Sequence, residues 1–199
     1  MTDRMTRRGF GGAGLAALAM GAAGCAAKDP LTEEARPMGD FRLGFNIVVT
    51  DKMKKIPPSR DASAEAWESA LTGEIDRRFG RYAGARAFHV ALSIDGYALA
   101  PPGIPVVLTP KSILVVTANL WSAEEGRKVL GPEQLTVFEG AEGLILGSGL
   151  IKDAEAQMQT LARNMAARVQ GWILREGGAV IGVRDPSDPP RLAFAGSDR

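Results

Sequence analysis

The chain has 199 residues, of which 45% are hydrophobic and 24% are charged, and its formal net charge is +1 at pH 7. This length suits a single domain with a sizeable core, and the composition is that of an ordinary globular protein. It excludes a chain that is disordered throughout and a protein with many membrane spans. The near-neutral charge gives no electrostatic basis for binding nucleic acid.

The first 24 residues have the pattern of an export signal peptide. Arg4, Arg7 and Arg8 form a basic region, and an apolar stretch of 14 residues follows from Phe10 to Ala23. This stretch is too short to span a bilayer as a mature helix, because a span needs about 20 apolar residues. Removal of residues 1–24 leaves 21 basic and 22 acidic residues, a formal charge of −1.

The segment from Thr6 to Phe10 resembles the twin-arginine export motif, in which two arginines and a nearby phenylalanine precede a weakly hydrophobic core. Arg7, Arg8 and Phe10 match that pattern, and nearby glycines keep the core weakly hydrophobic. The resemblance implies export of a chain that is already folded. Ordinary arginines of a general secretory signal are the alternative.

Cys25 is the only cysteine in the chain, and it lies where a signal peptidase would cut. With the preceding Ala22, Ala23 and Gly24 it resembles the bacterial lipobox, although Ala22 stands where leucine is preferred. The resemblance implies that Cys25 is acylated and holds the mature chain on a membrane, each buried methylene contributing about 0.8 kcal/mol. An ordinary cleaved signal followed by a free thiol is the alternative.

The residues after Cys25 suggest a location and a tether. Ala26 stands in place of the aspartate that commonly retains bacterial lipoproteins at the inner membrane, so we expect a periplasm-facing protein with the outer membrane favoured. Residues 25–39 are charged and proline-containing without apolar periodicity, which indicates a tether with a reach of roughly 45 Å. Residues 184–199 have a similar composition and predict a disordered tail, so the folded domain should occupy residues 40–183.

The domain begins with a predicted strand. Apolar residues occupy every second position from Phe41 to Val49, which predicts a half-buried strand with Phe45 and Ile47 on its buried face. A loop over residues 52–60 follows. Asp61 or Ser63 can then cap a helix by accepting hydrogen bonds from its free N–H groups.

An amphipathic helix and a second strand come next. Apolar residues from Ala64 to Tyr82 recur at spacings of three and four, and the helix should end near Gly84. Alternation resumes over residues 88–94, and Asp95 with Gly96 is a turn signal at which this strand ends or bends.

The second half of the domain predicts a hairpin and a long helix. Residues 113–121 and 128–138 lie on either side of a turn signal, which indicates two antiparallel strands. An apolar stripe from Ile151 to Trp172 predicts a second amphipathic helix that stops before Gly177. Residues 179–183 would suit a short edge strand.

This order of elements predicts an α+β fold: a two-layer sandwich with a mostly antiparallel sheet of about four strands and two amphipathic helices on one face. The architecture is similar to that of small envelope lipoproteins that serve as accessory parts of transport or outer-membrane assembly machines. The segment from Gly147 to Trp172 also resembles the carboxy-terminal part of a family of uncharacterised bacterial lipoproteins. That family brings no assigned activity.

Residues that could carry chemistry are few. His89 is the only histidine, so no histidine pair can hold a metal ion, and it shares the outward face of its strand with Asp95. A satisfied surface histidine and a turn aspartate are the favoured interpretations. Ser148 lacks the flanking pattern of a serine-nucleophile elbow, so no catalytic residue is predicted.

Two further groups of residues are candidate binding sites. Four glycines precede the second helix, and their spacing matches no phosphate-loop pattern: Gly140, Gly143, Gly147 and Gly149. A flexible connection capped by Ser148 or Asp153 is therefore favoured over anion binding. Four arginines lie near the end of the first helix: Arg77, Arg78, Arg81 and Arg86. A solvated face is favoured there, with anionic head groups or an acidic partner as the alternative.

The sequence therefore predicts a non-enzymatic, membrane-anchored interaction module that supports transport, assembly or envelope maintenance. It predicts no metal and no cofactor, a membrane contact through Cys25, and an unidentified envelope protein as partner. The alternative is a periplasmic protein whose sheet and helices enclose a lipid or another small apolar ligand. An enzyme ranks third.

Overall fold

The computed structural model describes residues 35–101, 112–139 and 153–183, which form five strands and two helices. In chain order these are β1 (Phe41–Val49), β2 (Lys54–Lys55), α1 (Ala64–Phe79), β3 (Arg86–Ala98), β4 (Ile113–Ser122), β5 (Arg127–Phe138) and α2 (Ala154–Glu176). The predicted signal peptide, the lipidation site, the tail and the glycines from 140 to 149 lie outside the described residues. Neither α1 nor α2 is long and apolar enough to cross a membrane.

The strands form one sheet in the order β1-β3-β4-β5, and β2 pairs with β3 beyond the end of β1. β1 and β2 run parallel to β3, whereas β3, β4 and β5 are antiparallel neighbours. Because a tight hairpin cannot join parallel strands, α1 lies in the connection between β1 and β3. Both helices pack on the sheet, and the predicted two-layer α+β fold is confirmed.

The core lies between the sheet and the two helices. The alternate side chains of β3 and β4 that face the helices are fully or almost fully buried: Phe88, Val90, Leu92, Ile94, Leu114, Val116, Ala118 and Leu120. Each large apolar side chain buried in this way contributes about 1.5–3 kcal/mol. Within the part of the chain that the structure describes, core residues extend from Met38 to Ile181. Met38 itself is 2% exposed and lies two residues before the predicted start of the domain.

The face that β1 presents to the core differs from the prediction. The strand lies where it was expected, but its register with β3 shifts after Leu43. Because side chains alternate with a period of two, an irregularity of one residue turns all the following side chains to the opposite face. Phe45, Ile47 and Val49 are therefore exposed, at 67%, 48% and 40%, and Val48 is buried instead.

Other boundaries also differ from the sequence expectations. α1 ends at Phe79, before the predicted end near Gly84, because Gly84 donates its N–H to the carbonyl of Phe41 in β1. Of the two predicted alternatives at Asp95, an end or a bend of the strand, the end is wrong, because β3 continues through Asp95 with an irregularity in its register. Residues 179–183 form turns that follow α2, and the edge strand predicted there is wrong.

Each helix begins at a capping side chain. Ser63 Oγ accepts from the N–H of Ala66 at 3.1 Å, and Asp153 Oδ1 accepts from the N–H of Ala156 at 2.7 Å. Asp61, the other predicted cap for α1, accepts instead from Lys55 Nζ. The two caps satisfy backbone donors that have no partner within the first turn of a helix.

Replacing Asp153 with alanine is expected to lower the free energy of unfolding by about 1 kcal/mol, because the Ala156 amide loses its acceptor. Asp153→Asn keeps a side-chain oxygen and is the matched control, with an expected change below about 0.5 kcal/mol. Urea denaturation of both variants measures the difference. Equal losses in the two would contradict a capping role.

Candidate functional site

The face of the sheet that points away from the helices, which we call the outer face, carries exposed apolar side chains in register. The proximal row crosses the sheet near the start of β3 and consists of Phe45, His89, Trp121 and Lys128. The middle row consists of Ile47, Ala91 and Asn119. The distal row consists of Val49, Ser93, Thr117 and Gln134. The proximal row holds two exposed aromatic side chains, Phe45 and Trp121, and Ile47 and Val49 continue the apolar surface along β1.

His89 stabilises the irregularity in β1 that exposes Phe45. The N–H of Phe45 donates to His89 Nδ1 at 2.9 Å, and the two rings lie 4.9 Å apart. Gly44 leaves room for the imidazole, since a Cβ there would lie 2.6 Å from Nδ1. His89 is thus a satisfied surface histidine, as the sequence suggested, and it orients the proximal row.

A shallow groove of about 230 Å³ lies between the proximal and middle rows and the turn that joins β4 to β5. Its lining is Ile47, His89, Ala91, Trp121, Ser122, Ala123 and Gly126. The small side chains of Ala91 and Ala123 leave the space open. Trp121 borders the groove and is 41% exposed, whereas Trp67 and Trp172 are fully buried in the core.

A polar band, formed by Asp95 with Thr117 and Gln134, separates this apolar region from the far end of the outer face. Asp95 accepts from Thr117 Oγ1 at 2.7 Å and from Gln134 Nε2 at 3.0 Å, which links three strands. Asp95 therefore has a structural role within the strand rather than in a turn. Beyond the band, Phe138 is another exposed aromatic side chain, at 55%.

The buried Arg78 links the two helices. Its Nη1 donates to Gln170 Oε1 at 3.0 Å, and Gln170 Nε2 donates to the hydroxyl of Tyr82 at 2.6 Å. Arg78 is only 7% exposed. Burial, followed by the nearby charge of Arg81, lowers the pKa of the Arg78 guanidinium. The solvated interpretation of this arginine is therefore wrong.

The structure assigns the other three arginines to separate places. Arg77 donates to Glu74 within α1. Arg81 lies over the ring of Tyr82, with 5.6 Å between its Cζ and the ring centre. Arg86 donates to the carbonyl of Val180 at 2.6 Å and pairs with carboxylates in the β4–β5 turn. The geometry does not bring the four together as one anion site.

The sequence-predicted site residues at the amino terminus lie outside the described residues: Arg7, Arg8, Phe10, Ala22, Ala23, Gly24 and Cys25. Among the residues that the structure describes, no group of three or more His, Cys, Asp or Glu side chains is placed to hold a metal ion. Sequence reasoning missed the exposed apolar surface of the outer face. Gly44 inside the alternating pattern of β1 was the available signal, because glycine within a strand often marks a bulge.

Replacing His89 with alanine is expected to lower the free energy of unfolding by about 1–2 kcal/mol, because the Phe45 amide loses its acceptor. Hydrogen exchange of the Phe45 amide should accelerate. Ser93→Ala, on the same strand and face, is the matched control and should leave that exchange rate unchanged. A Phe45 amide that exchanges equally in His89→Ala and in the unsubstituted chain would contradict this role.

Comparison with known proteins places the chain in no family: no family model matches it, and no curated protein matches it by sequence. Solved structures with a similar arrangement include protein XCC0632 from Xanthomonas campestris, of the DUF330 family, at 16% identity and a TM-score of 0.49 over 74% of this chain and 92% of that one. A minor lipoprotein from Acinetobacter baumannii has 14% identity and a TM-score of 0.27 over 62% and 92%. The PelC dodecamer from Paraburkholderia phytofirmans has 15% identity and a TM-score of 0.32 over 65% and 91%. Similarities this distant assign no activity to the chain.

Proposed function

We propose that the protein is a non-enzymatic, membrane-anchored accessory module of the bacterial cell envelope that acts by binding. The observation that supports this best is the exposed apolar outer face, where Phe45, Ile47 and Trp121 lie side by side. Contiguous exposed apolar surface on a domain whose core is otherwise well packed is typical of an interaction site. Such a surface serves transport, assembly or envelope maintenance by holding a partner.

The polar groups of the outer face support a binding role over catalysis. His89 Nδ1 accepts from a backbone amide, and Asp95 accepts from two side chains of the sheet. A general base needs a lone pair directed at the substrate proton. In this arrangement the hydrogen bonds of both residues stabilise the sheet.

The membrane anchor is part of the same proposal and rests on the sequence around Cys25. Cys25→Ala is expected to move the protein from the membrane fraction to the soluble periplasmic fraction, and unchanged membrane retention would refute the anchor. For the twin-arginine route, replacing Arg7 and Arg8 with lysine should retain the precursor in the cytoplasm.

The outer membrane is favoured over the inner membrane because Ala26 follows the cysteine. Separate fractionation of the two membranes tests this location.

The accessory role is tested by crosslinking in intact cells, followed by mass spectrometry of the captured proteins. Recurrent capture of one transport or assembly machine, reduced in the Cys25→Ala variant, is the expected result. A purified domain with measurable turnover that a single site substitution abolishes would refute the non-enzymatic proposal.

A second candidate function is the binding of a lipid or another small apolar ligand. The groove beside Ile47 and Trp121 supports it. The space between the sheet and the helices is filled by side chains such as Trp67 and Trp172, so the groove on the outer face is the better candidate site. Native mass spectrometry of the purified domain tests this alternative, and a domain that never carries lipid would count against it.

A further inference from the structure

We infer that the proximal and middle rows of the outer face dock on the surface of a lipid bilayer, with Phe45 and Trp121 at the level of the head groups. The inference deepens the proposed function and rests on it, because the predicted anchor at Cys25 would bring the domain to the membrane. It names the bilayer surface as the partner that the outer face holds.

The composition of the two rows is that of a surface that enters the interfacial region of a membrane. Phe45, Ile47 and Trp121 supply exposed aromatic and aliphatic side chains. Exposed cations flank them on both sides, with Arg42 on β1 and Lys128 on β5. Aromatic rings are enriched at the level of head groups, and lysine and arginine add attraction to anionic lipids.

The polar band limits how far the membrane contact extends along the strands. Successive rows are two residues apart along a strand, so the two apolar rows span roughly 7 Å. Ser93, Asp95 and Thr117 would then remain in water, where Asp95 keeps its hydrogen bonds within the sheet.

The chain also reaches the domain at the end of the sheet that carries these rows. Met38 is buried, and Asp40 donates its N–H to the carbonyl of Ile181, so the start of the domain is fixed by packing. Phe41 begins β1 only four residues before Phe45, a distance of roughly 13 Å along the strand. A tether of the predicted reach, roughly 45 Å, allows this end of the domain to lie against the membrane.

A flat surface covers the two rows, whereas a second copy paired along the sheet edge would not. β1 is an edge strand, and a copy that paired with it would extend the sheet in its own plane and leave Phe45 and Ile47 exposed. Trp121 lies two strands further into the sheet, at roughly 10 Å, and would stay exposed. A bilayer surface covers both ends of the proximal row at once.

The three tryptophans of the chain make the docking measurable. Trp67 and Trp172 are fully buried, so a change in the emission of the folded protein reports Trp121. We would use the chain from Ala26 onward, which contains every core residue that the structure describes and lacks Cys25, with vesicles of phosphatidylethanolamine and phosphatidylglycerol. We expect it to sediment with the vesicles, to emit at shorter wavelength, to be quenched by brominated acyl chains, and to bind less at high salt.

Substitutions then locate the surface. Phe45→Ser and Trp121→Ser should each lower the vesicle partition coefficient about tenfold, as measured by sedimentation, because each removes apolar area from the contact. Phe138→Ser is the matched control, because Phe138 is an exposed aromatic residue beyond the polar band, and it should change partitioning by less than about twofold. Circular dichroism verifies that each variant is folded.

Three results would overturn the inference. They are a chain that does not bind the vesicles, a Phe45→Ser and Trp121→Ser pair that both bind like the unsubstituted chain, and a blue shift that grows with protein concentration without vesicles. The last result would assign the face to a second copy. Because the tested chain lacks Cys25, these results are independent of acylation, and a failed Cys25→Ala fractionation would count against the proposed function alone.

Discussion

Replacing Trp172 with alanine is expected to lower the free energy of unfolding by about 3–5 kcal/mol. Trp172 lies in α2, is fully buried, and donates from Nε1 to Glu176 Oε2 at 2.9 Å. Loss of the indole leaves a cavity that close-packed neighbours fill only in part. For a domain of this size, Tm should fall by roughly 10 °C or more.

Thermal unfolding followed by circular dichroism measures this effect. Trp121→Ala is the matched control, because it makes the same chemical change on the outer face and should cost less than about 1 kcal/mol. Trp172→Phe should be intermediate, since it keeps a ring in the core and loses the hydrogen bond. Equal decreases in Tm for the two alanine variants would contradict the packing of α2 against the sheet.

Replacing Gln170 with leucine is the second substitution with a large expected effect, about 2–3 kcal/mol of unfolding free energy. Gln170 Oε1 accepts from the guanidinium of Arg78, which is almost completely buried between α1 and α2. Leucine matches glutamine in size and accepts no hydrogen bond. A buried charged donor that loses its acceptor costs more than a neutral one.

The charge of Arg78 provides the internal control. Burial lowers the pKa of its guanidinium, so the folded environment disfavours the charged form. Arg78→Met removes that charge together with its need for an acceptor, and we expect it to be milder than Gln170→Leu. In a double-mutant cycle measured by urea denaturation, Arg78→Met should rescue part of the loss in Gln170→Leu. Strictly additive losses would contradict a coupled pair.

Periodicity predicted the elements whose environment is uniform along their length. β3 and β4 face the helices on one side throughout, so every second side chain is apolar. β4 ends one residue beyond its predicted bounds, whereas β3 runs from Arg86 to Ala98 where residues 88–94 were predicted. The apolar stripe of α2 was equally predictable from the sequence, because one face of a regular helix packs against the rest of the domain. The caps at Ser63 and Asp153 were among the predicted alternatives because they are local hydrogen bonds.

Contacts between residues distant in sequence decided the candidate site. The irregularity in β1 leaves the Phe45 amide without its regular strand partner, and the acceptor is His89, 44 positions later. Arg78 is buried because Gln170, 92 positions away, accepts from it. No local sequence pattern indicates either pairing, so the exposed face of β1 was assigned to the core and Arg78 to solvent.

The sequence by itself determined the α+β class and the order of the main elements, narrowed each helix cap to two candidates, and predicted a membrane address, because short-range spacing and short motifs carry these signals. Only the tertiary structure decided which side of β1 meets water, how α1 joins parallel strands, and that Phe45 and Trp121 share one surface. The physical reason is that side chains alternate along a strand. One irregularity, stabilised by a distant histidine, therefore reverses the face of every residue that follows it.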